Sequence, residues 1–218
     1  MPYKQYLQSI CDSWGEEQPN LEAYLNGIKP FFSVCENKTV LEIGPFFGWH
    51  TALVHQYNPK HVTLVEANTE FGELLKTKFT NDLVIIQDIF HFLEQNRKTD
   101  VVVCCGVLYH LHSPIYLLEL IANRADPEYV ILESVVKPSE IDDWKSAVFR
   151  ENDNTPGNRY TDNTWKSARI SIDYSQSIIE YVMDHLGYEI VNKDTDMSRF
   201  GFEQKKSASM TLYRKKHI

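Results

Sequence analysis

Residues 39–43, Thr-Val-Leu-Glu-Ile, form an apolar run that stops at Gly44, and a second glycine, Gly48, opens a helical pattern. Strand, glycine turn and helix together make the first unit of an α/β sheet, and the same alternation continues down the chain. The pattern predicts strands at 39–43, 61–65, 83–87, 100–105 and 129–136, with helices at 49–57, 70–79, 89–95 and 114–124 between them. Pro114 suits the first turn of the last of these helices. Strands joined by helical crossovers form a parallel sheet covered on both faces. A further helix at 175–186, a turn at Gly187 and strands at 188–192 and 209–213 complete a doubly wound, mostly parallel seven-stranded sheet. Its C-terminal pair reads as an antiparallel hairpin at the edge.

Two stretches stand outside this alternation. Residues 1–36 form an N-terminal helical segment, with Leu21, Leu25, Ile28 and Phe32 on one stripe, ahead of a domain spanning 37–218. Residues 137–173 are polar, acidic and rich in Asn, Asp and Trp, and read as an insertion in that domain.

With 218 residues and 43% hydrophobic content, the chain can bury one sizeable core. Its net charge of −8 argues against a broad nucleic-acid surface, and the cations at 205, 206 and 214–216 read as a solvated edge. Cys104 and Cys105 lie in an apolar run, and the four cysteines have no zinc spacing. No apolar run approaches the roughly 20 residues needed to span a bilayer, so the expected location is cytoplasmic.

Ligands of open parallel sheets bind beyond the carboxyl ends of the strands. The residues there are Gly44, Glu66, Asp88 and the segment 106–110. In the loop Gly44-Pro45-Phe46-Phe47-Gly48, Pro45 removes an amide donor and Phe46 puts bulk where a pyrophosphate would need close approach. The loop therefore suits a ligand without a pyrophosphate, and S-adenosylmethionine is one. Its cationic sulfonium matches Glu42 and the acidic strand ends. Glu66, about 20 residues beyond the loop, is placed to accept from both ribose hydroxyls. Asp88 can accept from an adenine amino group while Ile89 offers its amide, and Asp88 also suits a helix N-cap. Gly106 lets the chain turn beneath the ligand, with Tyr109 and His110 following. His110 and His112 lack an evident acidic third ligand, so no metal site is expected.

The segments 40–48, 106–111 leading into Ser113-Pro114, 130–133, 156–160 and 186–188 together resemble the class I S-adenosylmethionine-dependent methyltransferases. Within them the chain is similar to the tRNA wobble-uridine carboxymethyltransferase group. The resemblance implies cofactor contacts at Glu42, Gly44, Gly48, Glu66, Asp88 and Ile89, and a transferred-group site near Tyr109, His110, Arg159 and Tyr160. Two features depart from the tRNA enzymes: only about 35 residues precede the first strand, and 207–212 lacks the basic residue that holds the carboxylate of carboxy-S-adenosylmethionine. These departures favour ordinary methyl transfer to an O or N atom of a small molecule over carboxymethylation of tRNA. His110 is the first candidate to take the acceptor's proton, with Glu133 as the alternative. The insertion, with Trp144, Arg159, Tyr160, Trp165 and Arg169, is the expected acceptor pocket or lid. A nicotinamide oxidoreductase and a catalytically silent partner subunit are the rival classes; Pro45 and Phe46 speak against the first.

Overall fold

The computed structural model describes residues 21–95, 97–111, 113–135, 147–151, 170–195 and 208–217. The elements run α1 (Leu21–Ile28), a 3-10 segment (Lys29–Cys35), β1 (Thr39–Ile43), α2 (Trp49–Val54), β2 (His61–Glu66), α3 (Thr69–Lys78), β3 (Leu83–Ile86) and α4 (Ile89–Leu93). They continue through β4 (Val101–Cys105), α5 (Pro114–Leu120), β5 (Tyr129–Val135), β6 (Ala147–Glu151), β7 (Ile170–Tyr174), α6 (Gln176–His185), β8 (Tyr188–Asp194) and β9 (Ala208–Lys215).

Seven strands form one sheet in the order β3-β2-β1-β4-β5-β9-β8. The first five are mutually parallel, whereas β9 runs antiparallel to both β5 and β8. The expected C-terminal antiparallel pair is therefore present, with β9 inserted beside β5 and β8 left at the edge. The strand order reverses between β1 and β4, so the crevice of the sheet opens at the carboxyl ends of those two strands.

Side chains alternate between the two faces of each strand. On one face Leu41, Ile43, Val102, Cys104, Val130 and Leu132 pack against α4, α5 and α6. On the other, Val40, Val62, Leu64, Val103, Cys105 and Ile131 meet Tyr24, Leu25 and Ile28 of α1, Phe32, and Leu53 and Leu75 of α2 and α3. The central strands β1 and β4 are covered on both faces, which is why β4 is continuously apolar and β1 is apolar from Val40 to Ile43 except for the buried Glu42.

The insertion contains a two-stranded antiparallel sheet of β6 and β7, which the sequence reading did not anticipate. β7 runs beside the 3-10 turn Leu108–His110 that follows β4. The helix expected at 114–124 is α-helical only to Leu120 and continues as a π-turn over Ile121–Ala125.

Candidate active site

The loop after β1 is held by its own backbone. Gly44 (φ +61°), Phe46 (φ +55°) and Gly48 (φ +81°) all adopt the left-handed region. The Gly48 N–H donates to the Pro45 carbonyl at 2.7 Å, closing a turn. Protein packing demands the glycine at 48, since a Cβ there would lie 2.3 Å from the Phe79 ring. The Phe46 amide, the donor a phosphate would need, donates instead to Glu66 Oε2 at 3.1 Å. The Phe46 ring meets Phe47 and Phe71 edge-on, with centroids 4.2 and 4.4 Å away. The Phe46 amide is thus spent on a carboxylate, which adds to the missing Pro45 donor and the bulk of Phe46 in disfavouring a pyrophosphate.

Glu66 closes β2 and is only 5% exposed. Its other oxygen accepts the Asn68 amide at 2.9 Å, and Asn68 in turn caps α3 by accepting from Phe71 N. Asp88 caps α4 by accepting from His91 N at 3.1 Å, so its expected capping role is realised.

Glu42 is 1% exposed and accepts a 2.7 Å hydrogen bond from the Thr51 hydroxyl of α2. Burial pushes its carboxyl up to about 8, with Asp82 and Glu66 adding like-charge repulsion against the Thr51 bond. Asp82 itself pairs with His55 Nε2 at 2.7 Å.

On the acceptor side, Gly106 (φ +75°) ends β4, and its N–H pairs with the Glu133 carbonyl. Among the described residues, a Cβ at Gly106 would have the Tyr109 hydroxyl at 3.5 Å and Glu133 Oε2 at 3.7 Å as near neighbours. Two oxygens from different segments therefore converge on the space that the glycine leaves. Glu133, at 1% exposure, lies deep at the end of β5, while the His110 ring sits 4.2 Å from that of Tyr109. Arg159, Tyr160, His112, Trp144, Trp165 and Arg169 lie outside the described residues.

Two polar residues here escaped the sequence reading. The Tyr24 hydroxyl of α1 lies 3.4 Å from His50 Nε2, and the His50 ring stacks on Phe32. Burial, reinforced by Glu133, holds the Tyr24 phenol well above its ordinary range, so it stays neutral. The available signal was His50 two residues beyond Gly48; Tyr24 was masked by the apolar stripe of its helix.

The described part of the basic C-terminus is neutralised locally. Arg214 pairs with Glu189, Lys215 with Asp126 and Lys216 with Asp184. The solvated-edge reading of these cations thus has a structural cause. No described helix is long and apolar enough to cross a membrane.

The donor set at the strand ends, Glu42, Glu66 and Asp88 with the Ile89 amide, fits S-adenosylmethionine. Its carboxylates suit hydroxyl, amino and sulfonium groups, and Gly106 presents no side chain beside them.

Comparison with known proteins agrees. The Methyltransferase domain family model matches residues 20–191. Among curated proteins, the tRNA U34 carboxymethyltransferase of Nautilia profundicola is 31% identical over 118 residues, covering 51% of this chain and 38% of that protein. The protein of the same name from Campylobacter lari is 24% identical over 49% of this chain and 38% of its own length. The chain thus spans about two fifths of the length of these relatives. Among solved structures, the Burkholderia thailandensis 1,6-didemethyltoxoflavin-N1-methyltransferase with bound S-adenosylhomocysteine superposes with a TM-score of 0.63 at 13% identity, covering 100% of this chain and 91% of that one. A Mesorhizobium loti S-adenosylmethionine-dependent methyltransferase gives 0.62 at 11% identity, covering 88% and 98%. These two likenesses establish the fold, and the family model supplies the kinship. The chain belongs to the methyltransferase domain family.

Proposed function

We propose that this protein is a cytoplasmic enzyme that methylates an oxygen or nitrogen atom of a small molecule. The observation that carries the acceptor chemistry is the convergence of Tyr109 and Glu133 Oε2 on the space over Gly106. The buried free cysteines Cys35, Cys104 and Cys105 fit a reducing compartment.

In this reading S-adenosylmethionine supplies a methyl group on an electron-poor sulfonium. Glu66 holds the ribose hydroxyls, and Asp88 with the Ile89 amide orients the base. Gly44 and Gly48 keep the loop in the left-handed turns that free its upper surface, and Gly106 leaves room for the methionyl side. Transfer is an in-line displacement: the acceptor lone pair forms the new bond to carbon, and the carbon–sulfur pair returns to sulfur. Alignment is the main contribution of the protein. Glu133 or His110 takes the proton that an O–H or N–H acceptor must lose, and Tyr109 orients that acceptor. Arg159 and Tyr160 of the insertion are proposed acceptor contacts.

The names of the relatives favour a second reading, carboxymethyl transfer to a tRNA wobble uridine. Against it, β9 places Ser209, Met210 and Thr211 opposite the end of β5 and carries no cation before Arg214, which is paired with Glu189. Calorimetry with S-adenosylmethionine, its carboxylated analogue and NADH tests these alternatives. S-adenosylmethionine is expected to bind most tightly; preference for the analogue would reverse the acceptor reading, and preference for NADH would dismiss methyl transfer. A screen of hydroxyl and amine acceptors for S-adenosylhomocysteine release then tests turnover.

A further inference from the structure

Glu133 faces two ways. Its Oε2 lies 3.7 Å from where a Cβ at Gly106 would stand, a point that the Tyr109 hydroxyl approaches to 3.5 Å. Its place in β5, two residues beyond Ile131 and opposite Cys105 of β4, also puts it on the sheet face against which Tyr24 of α1 packs. Glu133 and then Cys105 are the groups whose charge adds to burial in holding the Tyr24 phenol up, so the phenol lies within their field. The Tyr24 hydroxyl in turn meets His50 Nε2 at 3.4 Å, the long end of hydrogen bonding, and the His50 ring stacks on Phe32. Burial falls along this row: Glu133 and Tyr24 are buried, and His50 is half-buried. Among the described residues, the other titratable groups packed on that face are Glu42 of β1, Cys35 of the 3-10 segment, Cys105 of β4 and Tyr57 beyond α2.

We propose that Tyr24 and His50 are positioning residues for Glu133 and carry away the proton it takes from the acceptor, which makes Glu133 rather than His110 the base. This rests on the methyl-transfer reading above and deepens it. The acceptor's lone pair forms the bond to the methyl carbon, the carbon–sulfur pair returns to sulfur, and the O–H or N–H proton passes to Glu133. Glu133 hands it to the Tyr24 oxygen as the Tyr24 hydroxyl proton moves to His50 Nε2. The imidazolium then returns one proton to water, and tautomer exchange restores the starting ring. A base buried at the end of β5 needs such an outlet, because a proton left on it blocks the next turnover. A neutral phenol between a carboxylate and an imidazole provides one, since a hydroxyl donates and accepts at once. His50 must be unprotonated at Nε2 to receive the proton, so its ionisation sets an acidic limit on turnover.

The test is the pH profile of kcat for S-adenosylhomocysteine release, with S-adenosylmethionine and the hydroxyl and amine acceptors of the screen above. It is paired with a nuclear magnetic resonance titration of the His50 imidazole in histidine-labelled protein. In the wild type, kcat should fall on acidification with the midpoint that the His50 ring itself shows. Glu42, pushed up to about 8, titrates in a neighbouring range, so the limb is assigned by variants as well as by its midpoint. His50→Gln should abolish that limb, and Tyr24→Phe should uncouple it from the His50 titration. Each should lower kcat by at least about tenfold, part of the roughly 100- to 10,000-fold that a positioned base supplies, with KM for S-adenosylmethionine unchanged. His110→Gln should keep the limb. Both positioning variants retain ring or amide bulk, and an unchanged urea midpoint separates lost proton transfer from lost folding. A variant that shifts the urea midpoint but keeps the limb and its match to His50 would make the pair a structural tie and overturn the inference. So would a limb that persists in His50→Gln, or one that vanishes in His110→Gln. Absence of turnover with every acceptor would overturn the methyl-transfer reading and this inference with it.

Discussion

Gly48→Ala should destabilise the protein through packing, before any question of ligand arises. At φ +81° an alanine occupies the left-handed region, which costs an L-residue roughly 1–2 kcal/mol. Its Cβ would sit 2.3 Å from Phe79 Cε2, 2.8 Å from Cζ and 3.1 Å from Leu75 Cδ2, all inside normal carbon contact. Phe79 cannot turn freely, because its ring stacks on His55 with centroids 6.0 Å apart. Forcing the ring aside adds an overpacking cost of about 1–3 kcal/mol, for a total of about 2–5 kcal/mol. That is a large share of the 5–15 kcal/mol typical of a folded domain, so a clear fall in urea midpoint at constant m-value is expected. Phe79→Ala in the same chain removes the obstacle but not the backbone strain. A double-mutant cycle should therefore show about 1–3 kcal/mol of favourable coupling. A loss below about 1 kcal/mol for Gly48→Ala, or an absence of coupling to Phe79, would refute the packing account and leave the glycine to the ligand alone.

Glu66→Ala should weaken S-adenosylmethionine binding by about 1–3 kcal/mol through lost ribose hydrogen bonds, and unchanged affinity by calorimetry would sink the ribose assignment. The same change strands the Phe46 and Asn68 amides, so stability should fall as well. Glu42 ionises near 4.5 when unfolded and near 8 when folded, so between those values the native state holds the extra proton. Stability should therefore decline as pH rises, by about 1.4 kcal/mol per unit up to roughly pH 8, and level off above it. Parallel urea-unfolding profiles for wild type and Glu42→Gln between pH 6 and 8 would contradict that linkage. Asp88→Ala should cost about 1 kcal/mol by uncapping α4, read as faster amide exchange at His91 and Phe92. Equal exchange rates in the two proteins would show that the cap carries no weight.

Much of the architecture was legible from local signals. β1, β2, β4 and β5 are short, apolar and β-branched because a parallel sheet buries both their faces. β1 and β4 end at glycines where the chain turns left-handed, and β3 is followed by Asp88, where α4 needs a cap. The strands β6 and β7 were not legible, since they are brief and set in a polar stretch, and their pairing joins residues some twenty positions apart. Tyr24 and His50 were missed for a related reason: 26 residues separate them, and neither has a local pattern that names its partner.

The sequence by itself determined the fold class, the order of strand and helix, and the acidic, phosphate-averse character of the carboxyl ends. Those properties follow from periodicity and side-chain chemistry, which are local. Only the tertiary structure decided that β9 lies between β5 and β8, that the Phe46 amide is committed to Glu66, and that the described C-terminal cations are already paired. It also separated three chemically similar carboxylates into one held by the amides of Phe46 and Asn68, one paired with histidine and one buried against Thr51. The ionisation of a carboxylate depends on how much water and how many donors reach it, and both are set by residues distant in the chain.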